Sequence, residues 1–400
     1  MHIGLCSPAW PPDQAANSVV SYVAAIRGHF LDRGHRVSIL SPGQLTPSEG
    51  DPVPLHPSPA RCGRLAAALR RVGRGEMPGF NRRVGTSIEE ALLISPLDIL
   101  ETEDSSGWSD TVQRVVRVPV VTRLHGPHFL KPAPPHGVRA GWADRARRRA
   151  EGRTVRAARS LTAPTGAMMA ATCAEYGRPA SPVDAVIPSP TRIAPPASRW
   201  RLESCRRGTI LMVGGFGYED GADTMLMAFE RLLQRCPLST LTIVGPDTGI
   251  EITPGHTIGF AAYARASLSP EARERVTFAA TQTSGETAKL RQQANVTVVA
   301  SRAQSAFHPL LEGLGAGCPM ITTDWPGSEE FVKHGETALV TPVSQPNPLA
   351  DNLELLLAHP DVASRIGSAG RKRCAEAFSV PSIGDRILSC YRATLESCAR

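Results

Sequence analysis

Residues 301–340 of the chain read SRAQSAFHPLLEGLGAGCPMITTDWPGSEEFVKHGETALV. They follow an apolar run, NVTVVA (295–300), which predicts a buried strand. The stretch itself predicts a loop, a helix around Glu312, a second strand at PMITT (319–323) and a short second helix. Strands that alternate with helices over short connections are typical of a parallel sheet covered by helices. The stretch therefore predicts one crossover unit of an α/β domain.

The same alternation extends backwards through the second half of the chain. TILMV (209–213) and LTIVG (241–245) predict strands, and an apolar stripe predicts a helix over 224–235 between them. Shorter strands are predicted at 276–278 and 338–340. The second half thus predicts a complete doubly wound domain.

The first half predicts a second domain of the same kind. HIGLC predicts an opening strand, a helix begins near Ser18 and stops at Gly34, and buried strands follow at 37–40, 97–101 and 118–125. A proline-rich stretch separates the two halves, and a last helix follows Phe378. The predicted organisation is an N-terminal domain, a linker, a C-terminal domain and a crossover helix, at residues 1–187, 188–207, 208–376 and 377–400.

Composition fits a soluble globular protein. The 400 residues are 42% hydrophobic and 20% charged, and no run reaches the roughly 20 apolar residues of a spanning helix. The nine cysteines form no C-x-x-C pair, which argues against zinc and disulfides. The opening MHIGLCSPAW lacks the features of a secretory signal. We therefore expect a cytoplasmic protein without a metal or cofactor.

The net charge of +7 is concentrated in two arginine clusters, Arg61–Arg83 and Arg139–Arg159. The favoured interpretation is a solvated helix face. Contact with an anionic membrane surface is the less favoured one. Nucleic acid is not expected as a partner, because the clusters contain no interleaved aromatic residues.

The quoted stretch resembles the donor site of GT-B glycosyltransferases of the family-4 type. In that family two glutamates eight positions apart hold the donor, one on the sugar and one on the ribose. Gln304 stands at the first position and Glu312 at the second. The resemblance implies that Glu312 binds the ribose, while Gln304 hydrogen-bonds the sugar but forms no covalent intermediate. Glu330 resembles the family's Gly-Gly-x-Pro-Glu element.

The N-terminal half carries the other side of the resemblance. SPAWPPDQAANSVV (7–20) resembles the family's opening, with Asn17 and Ser18 in place of a Gly-Gly turn at the donor phosphates. VPVVTRLHGPHFL resembles a subgroup whose strand-end histidine lies beside the transferring sugar, which implies a catalytic role for His125. The same comparison implies acceptor-side roles for Arg123, Glu103 and Asp104.

The phosphate-binding loop departs from the family pattern. The resemblance places the arginine and lysine that neutralise the diphosphate at Gly215 and Asp220. Each lost charge-assisted contact is worth about 1.5–3 kcal/mol. Three explanations remain open: neutralisation by Arg302 or Arg123 with loop amides of glycines such as Gly214, a metal beside Asp220, or loss of catalysis.

The resemblance implies a GT-B fold, with two doubly wound Rossmann-like domains that face a cleft and a C-terminal helix that crosses back. It implies a retaining glycosyltransferase that uses a nucleotide-diphosphate sugar and a small-molecule acceptor. The altered loop favours an unusual donor or acceptor, as in antibiotic-type or other specialised metabolism. S-glycosylation of a thiol or thione is one variant of this expectation, which no residue of the sequence specifically indicates. The alternatives are a silent GT-B protein that binds sugar or nucleotide or activates a partner transferase, and a membrane-surface transferase with a lipid acceptor.

Overall fold

The computed structural model describes residues 1–12, 18–41, 44–54, 80–104, 108–133, 141–304 and 307–399. The chain divides into two compact units. The first unit comprises Met1–Leu130, Arg139–Pro190 and Val380–Arg400, and the second comprises Lys131–Val138 and Thr191–Ser379.

The first unit is built on an eight-stranded sheet. Its strands are β1 (His2–Cys6), β2 (Arg36–Ser41), β3 (Gln44–Thr46), β4 (Val53–Pro54), β5 (Ile99–Glu103), β6 (Val120–Arg123), β7 (Ser160–Ala163) and β8 (Ala185–Val186). The spatial order is β4-β3-β2-β1-β5-β6-β7-β8. β1 pairs in parallel with β2 on one side and β5 on the other. The chain therefore reverses its direction of winding between β1 and β5, where open α/β sheets bind ligands.

Five helices accompany this sheet within the described residues. They are α1 (Ser18–Asp32), α2 (Phe80–Ile94), α3 (Trp108–Val115), α4 (Trp142–Ala157) and α5 (Gly166–Tyr176). The predicted apolar face of α1 is confirmed, because Val19, Val23, Ile26 and Phe30 are all buried. Burial of such a stripe against the sheet is what stabilises an amphipathic helix in water.

The second unit contains two sheets. Its strands are β9 (Thr209–Val213), β10 (Phe216–Gly217), β11 (Thr240–Val244), β12 (Asp247–Thr253), β13 (His256–Ile258), β14 (Val276–Phe278), β15 (Val296–Val299), β16 (Met320–Thr323) and β17 (Leu339–Thr341). The main sheet has the order β14-β11-β9-β15-β16-β17, and a small sheet has the order β10-β12-β13. All pairings in the main sheet are parallel. Its switch point lies between β9 and β15.

Among its described residues, the second unit has eight α-helices. They are α6 (Ala222–Leu233), α7 (Phe260–Ser267), α8 (Pro270–Glu274), α9 (Ser284–Gln293), α10 (Phe307–Ala316), α11 (Ser328–Phe331), α12 (Pro346–Ala358) and α13 (Pro360–Ala377). β15 and β16 are buried on both faces, as their continuous apolar runs predict.

The C-terminal helix, α14 (Val380–Ala399), belongs to the first unit, as the sequence predicts. It packs on α1, where a Cβ at Gly384 would lie 2.2 Å from Cδ2 of His29. Only glycine allows this approach. The His29 ring is also 2.8 Å from the Asp385 carboxylate. In the described part of the chain, no helix combines the length and apolarity needed to cross a bilayer.

Candidate functional site

The predicted donor residues meet at the switch point of the second unit. The loop after β9 contacts the loop after β15, where the Ser301 hydroxyl and the Arg302 backbone N–H donate to the Glu219 carbonyl oxygen at 2.9 and 2.8 Å. α6 follows the first loop and α10 follows the second. Gly214, Gly215, Arg302 and Gln304 therefore lie at the edge of the sheet where α/β folds bind ligands.

Arg302 is fully engaged by the protein itself. Its guanidinium forms a bidentate pair with Asp223 at 2.7 and 2.8 Å. It also donates to the Tyr218 carbonyl oxygen, the Thr224 hydroxyl and the Ser344 hydroxyl. These contacts use all five N–H donors of an arginine, and the side chain is only 6% exposed. The structure thus gives Arg302 a structural role, which revises its predicted contact with the diphosphate.

Close packing explains the two glycines that begin the loop. A Cβ at Gly215, where φ is 109°, would lie 2.5 Å from the Pro246 carbonyl oxygen. A Cβ at Gly245 would lie 2.5 Å from the Cα of Gly215. The Gly214 N–H already donates to the Val244 carbonyl oxygen at 3.0 Å. Gly214 therefore has no amide to offer a phosphate, contrary to its predicted role, and the glycines let two loops approach each other.

The Asp220 side chain lies close to the glycines of this loop. Ideal Cβ positions at Gly214 and Gly217 would lie 3.2 and 3.0 Å from its carboxyl oxygens. Burial, and then the neighbouring Glu219 charge, raise the pKa of Asp220 to about 7. A carboxyl group with a pKa raised in this way takes up a proton near neutral pH more readily than an exposed aspartate, and protonation would reduce its repulsion of a diphosphate.

Gln304 and Glu312 differ in their surroundings. Gln304 is 8% exposed, and its Oε1 has no hydrogen-bond partner among the described residues. A buried carbonyl oxygen without a donor is costly, so a ligand hydroxyl at this point would be stabilising. The Glu312 side chain is 51% exposed and accepts from Arg291 Nη1 at 2.9 Å. That contact engages one carboxylate oxygen and orients the group.

Glu330 lies in the short helix α11. The Arg373 guanidinium donates to the carbonyl oxygens of Glu330 and Phe331, each at 2.7 Å. Arg373 of α13 thus fixes the end of α11 and the backbone that carries the Glu330 side chain. A cation at the C-terminal end of a helix also interacts favourably with the helix dipole.

In the first unit, His125 and Asp104 come together just beyond the ends of β6 and β5. The His125 backbone N–H donates to Oδ1 of Asp104 at 3.0 Å. Asp104 is buried, and its Oδ2 has no hydrogen-bond partner in the described part of the chain. Burial raises the pKa of Asp104 to about 8. The carboxyl group is therefore mainly protonated at neutral pH and can also donate a hydrogen bond.

A buried polar network lies beneath His125. The His125 ring packs edge-on against Tyr22, with centroids 5.2 Å apart. The Tyr22 and Tyr391 hydroxyls both donate to Oε2 of Glu101, at 3.2 and 2.8 Å. Burial raises the pKa of Glu101 despite the nearby Arg123. Through Tyr391, the C-terminal helix therefore helps to fix the residues that pack against the His125 ring.

Arg123 belongs to the same network rather than to an exposed surface. It is 1% exposed, and its guanidinium lies 4.6 Å from the centre of the Tyr22 ring. The guanidinium donates to the Ile187 carbonyl oxygen at 2.9 Å and to the Ser189 hydroxyl at 3.3 Å. This burial revises its predicted direct contact with an acceptor. Arg123 instead ties β6 to the segment through which the chain leaves the first unit.

Three predicted residues remain. Ser18 is the exposed first residue of α1, as predicted for a helix start. Glu103 is half-buried at the end of β5, opposite Arg123 in the strand register. Asn17 lies outside the described residues.

The sequence analysis missed the partners that orient these groups. Asp223 binds Arg302, Arg291 binds Glu312, and Glu101 binds both tyrosines. No local pattern marks them. The Arg302–Asp223 partners are 79 positions apart, and the Tyr391–Glu101 partners are 290 positions apart. Within the described residues, no group of three or more His, Cys, Asp or Glu side chains is arranged to hold a metal.

Two family models match the chain, one for each half. "Glycosyltransferase Family 4" matches residues 19–190, and "Glycosyl transferases group 1" matches residues 199–373. Together with the two doubly wound units, these matches define the class. The chain belongs to the GT-B glycosyltransferases.

Similar proteins of known structure share this fold. Sucrose-phosphate synthase from Thermosynechococcus elongatus matches with a TM-score of 0.75 at 18% identity, covering 99% of each chain. Anabaena HepE in complex with UDP-glucose matches with a TM-score of 0.67 at 16% identity, covering 98% of this chain and 100% of HepE. Such low identity shows the fold alone.

Sequence relatives match over shorter stretches. Glycogen synthase of Mycobacterium tuberculosis (strain CDC 1551 / Oshkosh) is 27% identical over 206 residues, which are 49% of this chain and 46% of the relative. The putative glycosyltransferase EpsD of Bacillus subtilis (strain 168) is 32% identical over 106 residues, 26% of this chain and 28% of EpsD. The chain thus spans less than half the length of these relatives.

Proposed function

We propose that this protein is a retaining glycosyltransferase that moves a sugar from a nucleotide-diphosphate sugar to a small-molecule acceptor. The observation that carries the proposal is the place of Gln304. Its buried Oε1 has no partner among the described residues, and it stands at the switch point three residues before α10. A sugar hydroxyl would satisfy this oxygen, whereas a purely structural glutamine would be expected to have a donor in the protein.

The donor nucleotide is proposed to bind beside α10. Glu312 has an exposed carboxylate whose orientation is set by Arg291, and two carboxylate oxygens match the neighbouring hydroxyls of a ribose. Uridine nucleotides are the first candidates, because HepE has been solved with UDP-glucose. Glu330 is proposed to contact the nucleotide sugar from α11.

The diphosphate needs a different partner from those of the family pattern. Arg302 is saturated by the protein, and the Gly214 amide is already bonded. We therefore assign the anion to the N-terminus of α10, which begins at Phe307. The first N–H groups of a helix have no partner within the helix, and the dipole favours negative charge there. The phosphate contact predicted for Ser18, the first residue of α1, stays a prediction.

The acceptor is proposed to bind in the first unit, at the ends of β5 and β6. His125 is held there by Asp104 and Tyr22, and Glu103 is half-buried at the end of the adjacent strand. One variant of this proposal has a thiol or thione acceptor, as in antibiotic-type metabolism. A sulfur nucleophile needs less help from a general base, because its thiolate forms more readily than an alkoxide.

A catalytically silent GT-B protein is the second candidate. Its support is the phosphate-binding loop, where the family's two cations are replaced by Gly215 and a half-buried Asp220. Such a protein would bind a sugar or nucleotide without turnover, or would activate a partner transferase.

The alternative of a transferase that acts at a membrane surface on a lipid acceptor is less well supported. In the arginine-rich helix α4, Arg147 pairs with Glu151, Arg148 pairs with Glu175 and Arg153 pairs with Asp110. These carboxylates reduce the net charge available to anionic lipid. Flotation of the protein with anionic vesicles would revive the lipid-acceptor alternative.

The deciding experiment measures sugar release and transfer. The protein is incubated with UDP-glucose, GDP-mannose, ADP-glucose or a dTDP-sugar, together with a panel of alcohol, amine, thiol and thione acceptors, and products are followed by mass spectrometry and NMR. The proposal predicts turnover that is lost in Glu312→Ala and in His125→Ala. The matched control is Glu336→Ala, since Glu336 is an exposed glutamate of the same unit that also pairs with a cation.

The pattern of results separates the candidates. Turnover with an α-configured product from an α-linked donor supports the retaining transferase. Nucleotide binding without turnover for any donor and acceptor would favour the silent protein. Turnover that survives both substitutions would contradict the proposed site.

A further inference from the structure

A hollow of about 380 Å³ lies within the second unit, apart from the candidate donor residues. Its walls come from the segment Pro196–Glu203, from Gly317 just after α10, and from one face of α13. On that face Ser364, Ser368 and Arg371 are spaced by four and three positions, which brings them to the same side of a helix.

The hollow is strongly cationic. Arg199, Arg201 and Arg371 line it together with the single carboxylate of Glu203. In the described part of the chain none of these arginines forms an ion pair. Arg199 Nη2 donates to the Ser368 hydroxyl at 3.4 Å, and Arg371 donates to the neutral carbonyl oxygens of Gly315 and Ala194.

Arg199 and Arg371 lie close together, and neither forms an ion pair with a carboxylate of the described residues. Burial, and then the charge of Arg199, lower the pKa of Arg371. Gly317 lies beside both side chains, since a Cβ there would be in ordinary contact at 3.4 Å from Cδ of Arg371 and 3.7 Å from Nε of Arg199. An anion between the two guanidinium groups would relieve their repulsion.

We propose that this hollow is a binding site for a phosphorylated sugar-sized metabolite. The phosphate would lie between Arg199 and Arg371, within reach of the Ser368 hydroxyl. Planar guanidinium groups suit phosphate oxygens in bidentate geometry. The volume is within the range of about 300–1,000 Å³ for small-molecule sites, which exceeds what a bare phosphate needs. Pro196 and Leu202 supply apolar wall for the remainder of the ligand.

The site is distinct from the proposed donor site but is linked to it. The Arg371 guanidinium donates to the Gly315 carbonyl oxygen, and the backbone N–H of Trp200 donates to the Ala316 carbonyl oxygen at 2.9 Å. Both acceptors lie in the last turn of α10, the helix that carries Glu312. A ligand that binds Arg371 is therefore connected to the C-terminal end of α10. This is the arrangement expected of a site through which a metabolite regulates donor binding.

The test is calorimetric titration of the full chain with glucose 6-phosphate, inorganic phosphate, sulfate and glucose at constant ionic strength. Two variants address the site: Arg199→Gln removes a cation, and Ser368→Glu places a carboxylate beside Arg199 at an exposed position. Arg265→Gln is the matched control, because Arg265 is an exposed arginine of the same unit outside the hollow. Thermal unfolding checks that each variant is folded.

The proposal predicts one saturable site for glucose 6-phosphate and no binding of glucose. Loss of a charge-assisted contact should weaken binding by about tenfold or more in Arg199→Gln and in Ser368→Glu, with no change in Arg265→Gln. Inorganic phosphate should bind more weakly than the sugar phosphate. Equal binding of phosphate, sulfate and glucose 6-phosphate, or unchanged binding in the folded site variants, would overturn the proposal. Because the variants locate the site, this result does not depend on a working donor site.

Discussion

Replacing Arg302 by methionine should unfold the second unit at a lower temperature rather than simply weaken nucleotide binding. The substitution removes a nearly buried guanidinium that holds Asp223, the Tyr218 carbonyl oxygen and two hydroxyls. It leaves the Asp223 carboxylate, itself 19% exposed, without its cation. Methionine retains most of the side-chain volume, so the loss is mainly electrostatic.

The magnitude follows from the contacts. Two of the five hydrogen bonds join opposite charges, and such bonds contribute about 1.5–3 kcal/mol each. Contributions within one network do not add, and breaking a buried pair typically costs about 3–5 kcal/mol. For a domain of this size, each kcal/mol lowers Tm by about 2–4 °C. We therefore expect a fall of roughly 6–20 °C in the transition of the second unit.

Differential scanning calorimetry measures the shift, and two further variants serve as references. Arg265→Gln, on an exposed surface, should change stability by about 0.5 kcal/mol at most. Arg302→Met combined with Asp223→Leu should lose less than the two single substitutions together, since neither charge is left alone. If Arg302→Met kept its Tm but lost nucleotide binding, the structural role would be refuted and Arg302 would be a diphosphate ligand.

Further substitutions test the first unit. The pKa of Asp104 is raised to about 8, so the folded state keeps a proton that the unfolded state releases near pH 4. The free energy of unfolding should therefore fall by up to about 1.4 kcal/mol for each pH unit between pH 5 and 7. Urea unfolding of Asp104→Asn should show a weaker dependence on pH than that of the wild type. The same dependence in both proteins would contradict a raised pKa of Asp104. Tyr391→Phe should lower the free energy of unfolding by about 1–3 kcal/mol through the lost bond to Glu101, whereas an unchanged urea midpoint would remove the network from the account. His125→Ala should reduce kcat by about 10²-fold or more with a smaller effect on KM, and a change confined to KM would limit His125 to binding.

The sequence predicted β1, β2, β5, β6 and the six strands of the second unit's main sheet, because buried parallel strands are short, apolar and bounded by turn residues. It did not predict β3, β4, β7 and β8. β9, β15 and β16 lie within one residue of their predicted limits. The small sheet of β10, β12 and β13 was not predicted, since its strands are partly exposed and polar. Pro254-Gly255, with Gly255 at a φ of 76°, is the turn signal that would have indicated the β12–β13 hairpin.

The candidate site was only partly readable from the sequence. The resemblance to the family selected Gln304, which lies beyond the end of β15. A strand-end position, together with the resemblance, selected His125, which lies beyond the end of β6. Spacing carries no information on which distant side chain satisfies a given group, so Arg302 was expected to serve a ligand although Asp223 already binds it. Likewise, Gly214 and Gly215 suggested a phosphate loop, whereas contact with the Gly245-Pro246 turn accounts for them.

The central claim is that the second unit binds a nucleotide beside α10 through Glu312, without the family's two cations. Titration calorimetry with UDP, on the wild type, Glu312→Ala and the control Glu336→Ala, tests it most directly. The account predicts saturable binding of one UDP per chain, weakened by about tenfold or more in Glu312→Ala only. Equal affinity in all three proteins would contradict the role of Glu312, and no UDP binding by the wild type would contradict the proposed uridine site itself.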